Sequence, residues 1–457
     1  MSQKVSIVFG TDQVEAQDFI KNSTGDFSPV FINGELQFVV KEIDEAKQSL
    51  EKVRMIAGNI ARDVQKREIE KIYLNEQKLQ TSFARLEAAK VVVAFIEGWY
   101  LGAYQFERYK SKKLFQTKLT FMNEAAVKNE VAEGEIRAAA MAFSRDLMNE
   151  LPSTLNPETF PTILADEFEN TDVNVVVHDK FALEKMEMNG LLAVNRGSKY
   201  DPAFIELHYE GDASKPLVAL VGKGVTFDTG GISLKSGRDL SDMRMDMGGA
   251  AAVAGAMSLL AESKAKVNVV ALLQIVENIP DQQSVLPGEV IHYRNGHTVQ
   301  VGNTDAEGRL ILADGLLRAD ELGADYVFNI ATLTGAVINA LGPKVAGIFG
   351  DDELTQAMKE VGDENGDFVW PLPLIDEYDQ TLESHYADFS NISTQPTAGS
   401  ITAALFLRRF VKHPEKWVHI DKAGPMDSNK ESGYYGKSAI GFGVRLLADF
   451  TEHISNK

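Results

Sequence analysis

Asn303-Thr304-Asp305-Ala306-Glu307-Gly308-Arg309-Leu310 stands between the strand-like run His297-Thr298-Val299-Gln300-Val301 and the helical pattern Leu310 to Leu322. A strand, a short polar loop and a helix in that order make one step of an α/β layer. The loop holds two acids two residues apart and an arginine two further on, so it can aim two carboxylates and one guanidinium at one point. The same residues also suit an ordinary helix start, with Asp305 as N-cap and Glu307 in a first turn favoured by the helix dipole. What decides between these readings lies upstream.

The apolar run Leu217 to Val221 reads as a strand, and Gly222-Lys-Gly-Val-Thr-Phe-Asp-Thr-Gly-Gly-Ile-Ser-Leu-Lys235 follows it as a glycine-rich loop. A lysine between glycines invites a phosphate-loop reading, but the Gly-Lys pair is not followed by Ser or Thr and opens no helix. Lys223 and Asp228 stand just beyond a buried strand, where isolated charges are costly and usually have a task. Asp246, in Met243-Arg-Met-Asp-Met-Gly-Gly249, precedes an Ala-rich helix and on its own could be an N-cap. Together, Asp228, Asp246, Asp305 and Glu307 would set four negative charges at one edge of one sheet. They cannot all stay ionised without compensation, and a pair of divalent cations is a common hydrolytic answer. Histidine ligation is not indicated: His292 and His297 are five apart, no His-Glu-x-x-His occurs, and the other six histidines are scattered and read as structural or surface groups. No Gly-x-Ser-x-Gly elbow occurs, and the absence of cysteine removes disulfides, thiolate nucleophiles and thiolate metal sites.

Around this centre, strand candidates Val173–Val177, Ala203–Tyr209, Leu217–Val221, Val267–Leu273, Tyr326–Ile330 and Trp417–Ile420 alternate with helical segments. Such alternation predicts a largely parallel sheet covered on both faces, with ligands beyond the carboxyl ends of its strands. The earlier chain shows strands at Val5–Phe9, Leu36–Val40 and Lys71–Leu74, and helical spacing over Glu42–Arg67 and Phe83–Tyr104. The expected fold class is therefore α/β: a smaller N-terminal α/β domain (1–130), a connecting helix (131–150) and a larger domain (151–457) with a central, mostly parallel sheet flanked by helices. The first domain carries no recognisable chemistry. A net charge of −20 argues against nucleic acid and anionic membrane as partners. Met1 to Gly10 holds no long apolar stretch and no run can span a bilayer, so the expected location is the cytoplasm.

At these motifs the chain resembles the leucyl aminopeptidase (cytosol aminopeptidase) family, metallopeptidases of the M17 type. The resemblance runs over roughly Asn149 to Leu447 and rests on Val221-Gly-Lys-Gly-Val-Thr-Phe-Asp-Thr-Gly-Gly, Met243-Arg-Met-Asp-Met-Gly-Gly-Ala-Ala and the octapeptide quoted above. Leu191-Leu-Ala-Val-Asn-Arg-Gly-Ser, Ala331-Thr-Leu-Thr-Gly-Ala and Gly441-Phe-Gly-Val-Arg-Leu-Leu add to it. Thr229, where many relatives carry serine, and a loosely matched entry around Asn149 to Pro157 depart from the pattern without touching the motif residues.

The resemblance implies an aminopeptidase with two divalent metals per subunit, zinc or manganese, with magnesium or cobalt admitted at the looser site. The tighter metal would be held by Lys223, Asp228, Asp246 and Glu307, and the exchangeable one by Asp228, Asp305 and Glu307 with the Asp305 carbonyl. A water between the metals would be the nucleophile, Lys235 would stabilise the oxyanion, and Arg309 would hold a bicarbonate that shuttles the proton. Met243, Thr332 and Gly335 would form an apolar side-chain pocket suited to Leu, with the Leu333 carbonyl accepting from the substrate amine. Implied partners are peptides with a free N-terminus and further copies in a homohexamer. A DNA-binding or regulatory relative with little peptidase role is the alternative, and the acidic charge opposes it.

Overall fold

A computed structural model describes residues 4–10, 17–237 and 239–457, with side chains omitted from 17 to 19; the first three residues of the stretch Met1 to Gly10 read above lie outside it. The chain divides into two compact units. One holds Met1–Ala142 with Glu364–Gly366 and Ser428–Ser438, and the other Phe143–Asp363 with Asp367–Asp427 and Ala439–Lys457.

In the first unit, β1 (Val5–Phe9), β2 (Phe27–Ile32), β3 (Glu35–Val40), β4 (Lys71–Leu74) and β5 (Lys118–Phe121) form a sheet in the order β2-β3-β1-β4-β5. Its helices are α1 (Gln17–Asn22), α2 (Leu50–Lys66), α3 (Glu76–Ser82) and α4 (Ala88–Ala103). Strand β2 falls where the sequence suggested polar loop. The signal was there: Asn33 and Gly34 take φ of 53° and 79°, the left-handed pair of a two-residue hairpin turn. Pro29 obscured it, and is tolerated because β2 is an edge strand. Ile56, Ile60 and Val64 of α2 pack with Val92, Phe95 and Trp99 of α4 over Ile7, Phe38 and Ile72 of the sheet.

Helix α5 (Lys128–Asn149) carries residues of both units. Beyond it follow α6 (Phe160–Phe168), β6 (Asn174–His178), α7 (Lys180–Lys185), α8 (Asn189–Asn195), β7 (Ala203–Glu210), β8 (Leu217–Asp228), α9 (Gly248–Glu262) and β9 (Asn268–Asn278). The chain continues with β10 (Val290–His292), β11 (Thr298–Gln300), α10 (Glu307–Glu321), β12 (Tyr326–Ala331), α11 (Gly335–Leu341), β13 (Ala346–Gly350) and α12 (Asp352–Asn365). It ends with β14 (Val369–Pro371), β15 (Phe389–Ser390), α13 (Gly399–Arg408), β16 (Trp417–Asp421) and α14 (Val444–Ser455). Eight strands form one sheet in the order β14-β13-β16-β12-β8-β9-β7-β6, and β10, β11 and β15 form a small one. The block β16-β12-β8-β9 is parallel, as the alternation of strands and helices predicts. Its strands are nearly continuous runs of buried apolar residues, which a sheet covered on both faces requires.

Helix α10, which begins at Glu307, is pinned to the sheet near its far end. Arg318 Nε donates to Glu206 Oε1 of β7 at 2.8 Å, and His178 and His208 meet the same carboxylate at 3.0 and 2.9 Å. Burial alone would raise the Glu206 pKa, but these partners outweigh it and draw it from 4.5 down to about 2. A depressed carboxylate adds stability above its unfolded pKa and loses it as pH falls toward its folded one. Glu206→Gln is therefore expected to lower the unfolding free energy by about 3 kcal/mol at neutral pH. Denaturant unfolding across a pH series checks this: the gap to the unaltered chain should close between pH 4.5 and about 2.

Candidate metal centre

Lys223 and Asp228 both lie on β8, which runs unbroken through Gly222 and Gly224 to Asp228. The expectation of a glycine-rich loop from Gly222 is thus corrected, and with it goes the phosphate-loop reading. These glycines serve packing: a Cβ on Gly222 would stand 2.8 Å from Ala250 Cα in α9. The turn comes later, at Gly230 and Gly231, where φ of +88° and +63° suits glycine. A Cβ on Gly230 would lie 2.8 Å from Asp305 Oδ1. The loop then returns Lys235 to the carboxyl edge of the sheet.

The helix-cap readings of Asp305 and Asp246 are corrected as well. Helix α10 is preceded by Ala306 and α9 by Met247, and neither has a side-chain cap. Asp305 instead sits in a turn whose Asn303 Oδ1 accepts the Asp305 N–H at 2.8 Å. Both acids are released from capping and face the cluster.

Six of the charged groups singled out in the sequence meet. Lys223 Nζ lies 2.7 Å from Asp246 Oδ2 and 2.9 Å from Glu307 Oε1. Lys235 Nζ lies 2.7 Å from Asp228 Oδ2 and 2.5 Å from Asp305 Oδ1. Four carboxylates thus face two ammonium groups, and negative charge is in excess. Burial, Glu307 and Asp246 push the Asp228 pKa well above the carboxylate range, and burial also raises Asp246 and Asp305. Glu307 is held low because Lys223 and Lys235 outweigh its burial. For both lysines burial opposes the charge, yet the adjoining acids prevail and raise their pKa values.

Arg309 stands apart from this cluster. Its Nη1 donates to the Asn391 carbonyl at 2.8 Å, its buried Nε finds no acceptor, and it forms no ion pair among the described residues. Burial lowers its pKa to about 10. Of the four residues expected at the substrate pocket, Thr332 joins the cluster directly: its carbonyl accepts from Lys223 Nζ at 3.0 Å and its hydroxyl donates to Asp246 Oδ1 at 2.7 Å. Met243 is buried in the turn that ends at Asp246, and its carbonyl accepts the Asp246 N–H at 3.3 Å. Leu333 is half-buried, and Gly335 opens α11 with free space where a Cβ would stand.

Several polar residues that shape the site escaped the sequence. Asn278 Nδ2 donates to Asp228 Oδ1 at 2.8 Å and to the Thr304 carbonyl at 3.0 Å, tying two of the acid-bearing segments together. Thr304 Oγ1 donates to the Gly230 carbonyl at 2.6 Å and accepts the Ser233 N–H at 2.8 Å. Asn391 accepts the Gly302 N–H and donates to the Asn303 carbonyl, both at 2.8 Å. Asn278 could have been found: it is a polar residue at the carboxyl end of a buried strand, paired in register with Asp228.

A divalent cation fits this donor set. Ligand oxygens of Asp228, Asp305 and Glu307 lie within 4.8 Å of one another, and Glu307 Oε2 is buried without a hydrogen-bond donor. Hard oxygen donors with one amine beside them suit manganese, magnesium or zinc. Added Mn²⁺ is expected to stabilise the chain by about 2.7 kcal/mol at a hundredfold excess over its Kd. Calorimetric titration and thermal unfolding with and without Mn²⁺ check this, and Glu307→Gln should abolish most of the gain.

Comparison with known proteins gives a consistent answer. The catalytic-domain model of the cytosol aminopeptidase family matches residues 142–448, and that family's N-terminal domain model matches 44–113. A probable cytosol aminopeptidase of Persephonella marina is 37% identical over 433 residues, covering 92% of this chain and 86% of that one. One from Chlorobium limicola is 43% identical over 387 residues, covering 80% and 76%. Among solved structures, the bottromycin maturation enzyme BotP superposes with a TM-score of 0.89 at 30% identity over 100% of both chains, and so does BotP in complex with Mn.

Proposed function

The chain belongs to the cytosol aminopeptidase family, and we propose that it is a two-metal aminopeptidase removing Leu-like apolar residues from peptide N-termini. The observation that carries this reading is the buried meeting of Asp228, Asp246, Asp305 and Glu307 with Lys223 and Lys235. Lys223, Asp228, Asp246 and Glu307 would hold the tighter metal, and Asp228, Asp305 and Glu307, with the Asp305 carbonyl, the exchangeable one. Bound there, zinc or manganese supplies Lewis acidity and lowers the pKa of water.

The chain's own residues do the rest. As a ligand Lys223 would be neutral, because a bound cation beside it would reverse the effect of the acids that raise its pKa in the cluster, and the Thr332 carbonyl accepts from its Nζ. Lys235, partly accessible between Asp228 and Asp305, keeps its proton and stabilises the negative charge that develops on the scissile carbonyl oxygen. Asp246 faces the free α-amine of the substrate and confines cleavage to the first residue. Arg309, buried with an unused Nε, offers a place for a small anion such as bicarbonate that passes a proton. Met243, Thr332 and Gly335 shape an apolar side-chain pocket, with the Leu333 carbonyl as an acceptor for the substrate amine. A homohexamer in the cytoplasm acting on peptides goes with this reading. Among the described residues no helix is long and apolar enough to cross a membrane.

Leucyl-anilide hydrolysis tests the proposal. Chelation should abolish activity, and Mn²⁺ or Zn²⁺ should restore it when each metal is added back in turn. Glu307→Gln should remain inactive under every metal; full activity in that variant overturns the scheme. Lys235→Met should fold and bind metal, with kcat lowered about 10²–10³-fold, the usual effect of removing one oxyanion donor.

A further inference from the structure

Asp421 is the last residue of β16 and is fully buried, yet it forms no ion pair among the described residues. Its close partners are hydrogen-bond donors, and the Arg309 guanidinium acts on it only at longer range. Oδ1 accepts the N–H groups of Leu333, Thr334 and Ala423 at 3.2, 3.3 and 3.3 Å. Oδ2 accepts the Thr334 hydroxyl at 2.5 Å, and that hydroxyl also meets Ser400 Oγ at 2.8 Å. Burying an unpaired carboxylate is expensive, and burial lifts its pKa to about 6. A group kept at that cost usually performs a task.

The task follows from peptide geometry. In a planar trans peptide the N–H of one residue and the C=O of the residue before it point in opposite directions. The first peptide unit of this loop obeys the rule visibly: the Leu333 N–H points at Asp421, while the Thr332 C=O at its other end accepts from Lys223. In the next unit the Thr334 N–H also points at Asp421. The Leu333 C=O must then face away from Asp421, and it accepts no hydrogen bond among the described residues. Residues 332 to 334 are thus strung between the acid cluster and Asp421, with one backbone acceptor left over.

We propose that Asp421 is a positioning residue that aims the Leu333 carbonyl at the α-amine of the substrate, and so sets where the N-terminal residue sits. This rests on the aminopeptidase reading above. Asp421 itself touches neither substrate nor metal. It acts through the backbone of Leu333 and Thr334, and the Thr334 hydroxyl fixes which way its carboxylate lies.

Two inhibitors that differ only in the amine separate this role from general support of the fold. L-leucinol carries the α-amine, and 4-methyl-1-pentanol is the same molecule without it. With the full-length chain and Mn²⁺ present, Asp421→Ala is expected to weaken inhibition by L-leucinol about tenfold, the size of one hydrogen bond in a desolvated site, and to leave 4-methyl-1-pentanol within twofold. Equal weakening of both ligands, or of neither, overturns the proposal. If Asp421→Ala does not fold, Thr334→Val serves. It should weaken L-leucinol about threefold and spare 4-methyl-1-pentanol, and the same two contrary results apply. If the unaltered chain binds L-leucinol no better than 4-methyl-1-pentanol, the aminopeptidase reading itself fails and the role of Asp421 falls with it.

Discussion

The structure of the larger unit turns on how four carboxylates are held together in a buried place. Charges of one sign so close repel strongly, and without compensation some must take up protons. Two lysines are interleaved so that each ammonium bridges acids from different segments. Lys223 joins Asp246, from the turn before α9, to Glu307 at the start of α10, and Lys235 joins Asp228 at the end of β8 to Asp305 in the loop before α10. The pairing is therefore also a tertiary link among three parts of the chain. Sheet order makes it feasible, because β8 lies at the centre of the parallel block, where adjoining strands and helices deliver their ends to one edge.

The surrounding segments are fixed mostly by neutral groups. Asn278, Thr304 and Asn391 use amides and hydroxyls to lock the backbone on which the acids ride. A further lysine or arginine in such a position would compete for the carboxylates and pull them from the cluster. A further acid would add to an excess of negative charge that is already hard to bury. Amides avoid both problems, since each donates and accepts in the same small space. Arg309 fits the same logic. Its Nη1 is held by the Asn391 carbonyl, and Glu307 and Asp421 act on its charge without a close ion pair among the described residues.

Much of this could be read from the chain alone, and the reasons for the rest are specific. The acids were legible because isolated charges at the ends of apolar strands have few innocent explanations. The central strands were legible because continuous apolar runs between turn residues leave little choice. The nature of Gly222-Lys223-Gly224 was not legible, because glycines that admit a close helix look the same in sequence as glycines that line a loop. Only the nearness of Ala250 separates the two. The helix-cap readings of Asp246 and Asp305 failed for a related reason: a cap is defined by where the helix begins, and Met247 and Ala306 take that place. Asn391 and Asp421 were illegible because their partners lie more than 80 residues away in the chain.

The end of β16 shows how a sequence pair can mislead. Asp421 and Lys422 are adjacent opposite charges, which on a surface would read as an unremarkable local pair. Both are nonetheless fully buried, Asp421 as the last residue of β16 and Lys422 just beyond it. Asp421 turns toward the loop at Leu333 and Thr334, whereas Lys422 Nζ donates to the carbonyls of Gly248 and Phe442 at 3.2 and 2.8 Å. Burial lowers the Lys422 pKa to about 7, with Asp367 acting in the other direction. The two charges therefore do not neutralise each other. One holds the segment after β12 and the other the first residue of α9, and those segments carry Thr332 and follow Asp246. The chain at the end of β16 thus braces two walls of the site, and exchanging these two residues would lose both braces while leaving composition and net charge unchanged.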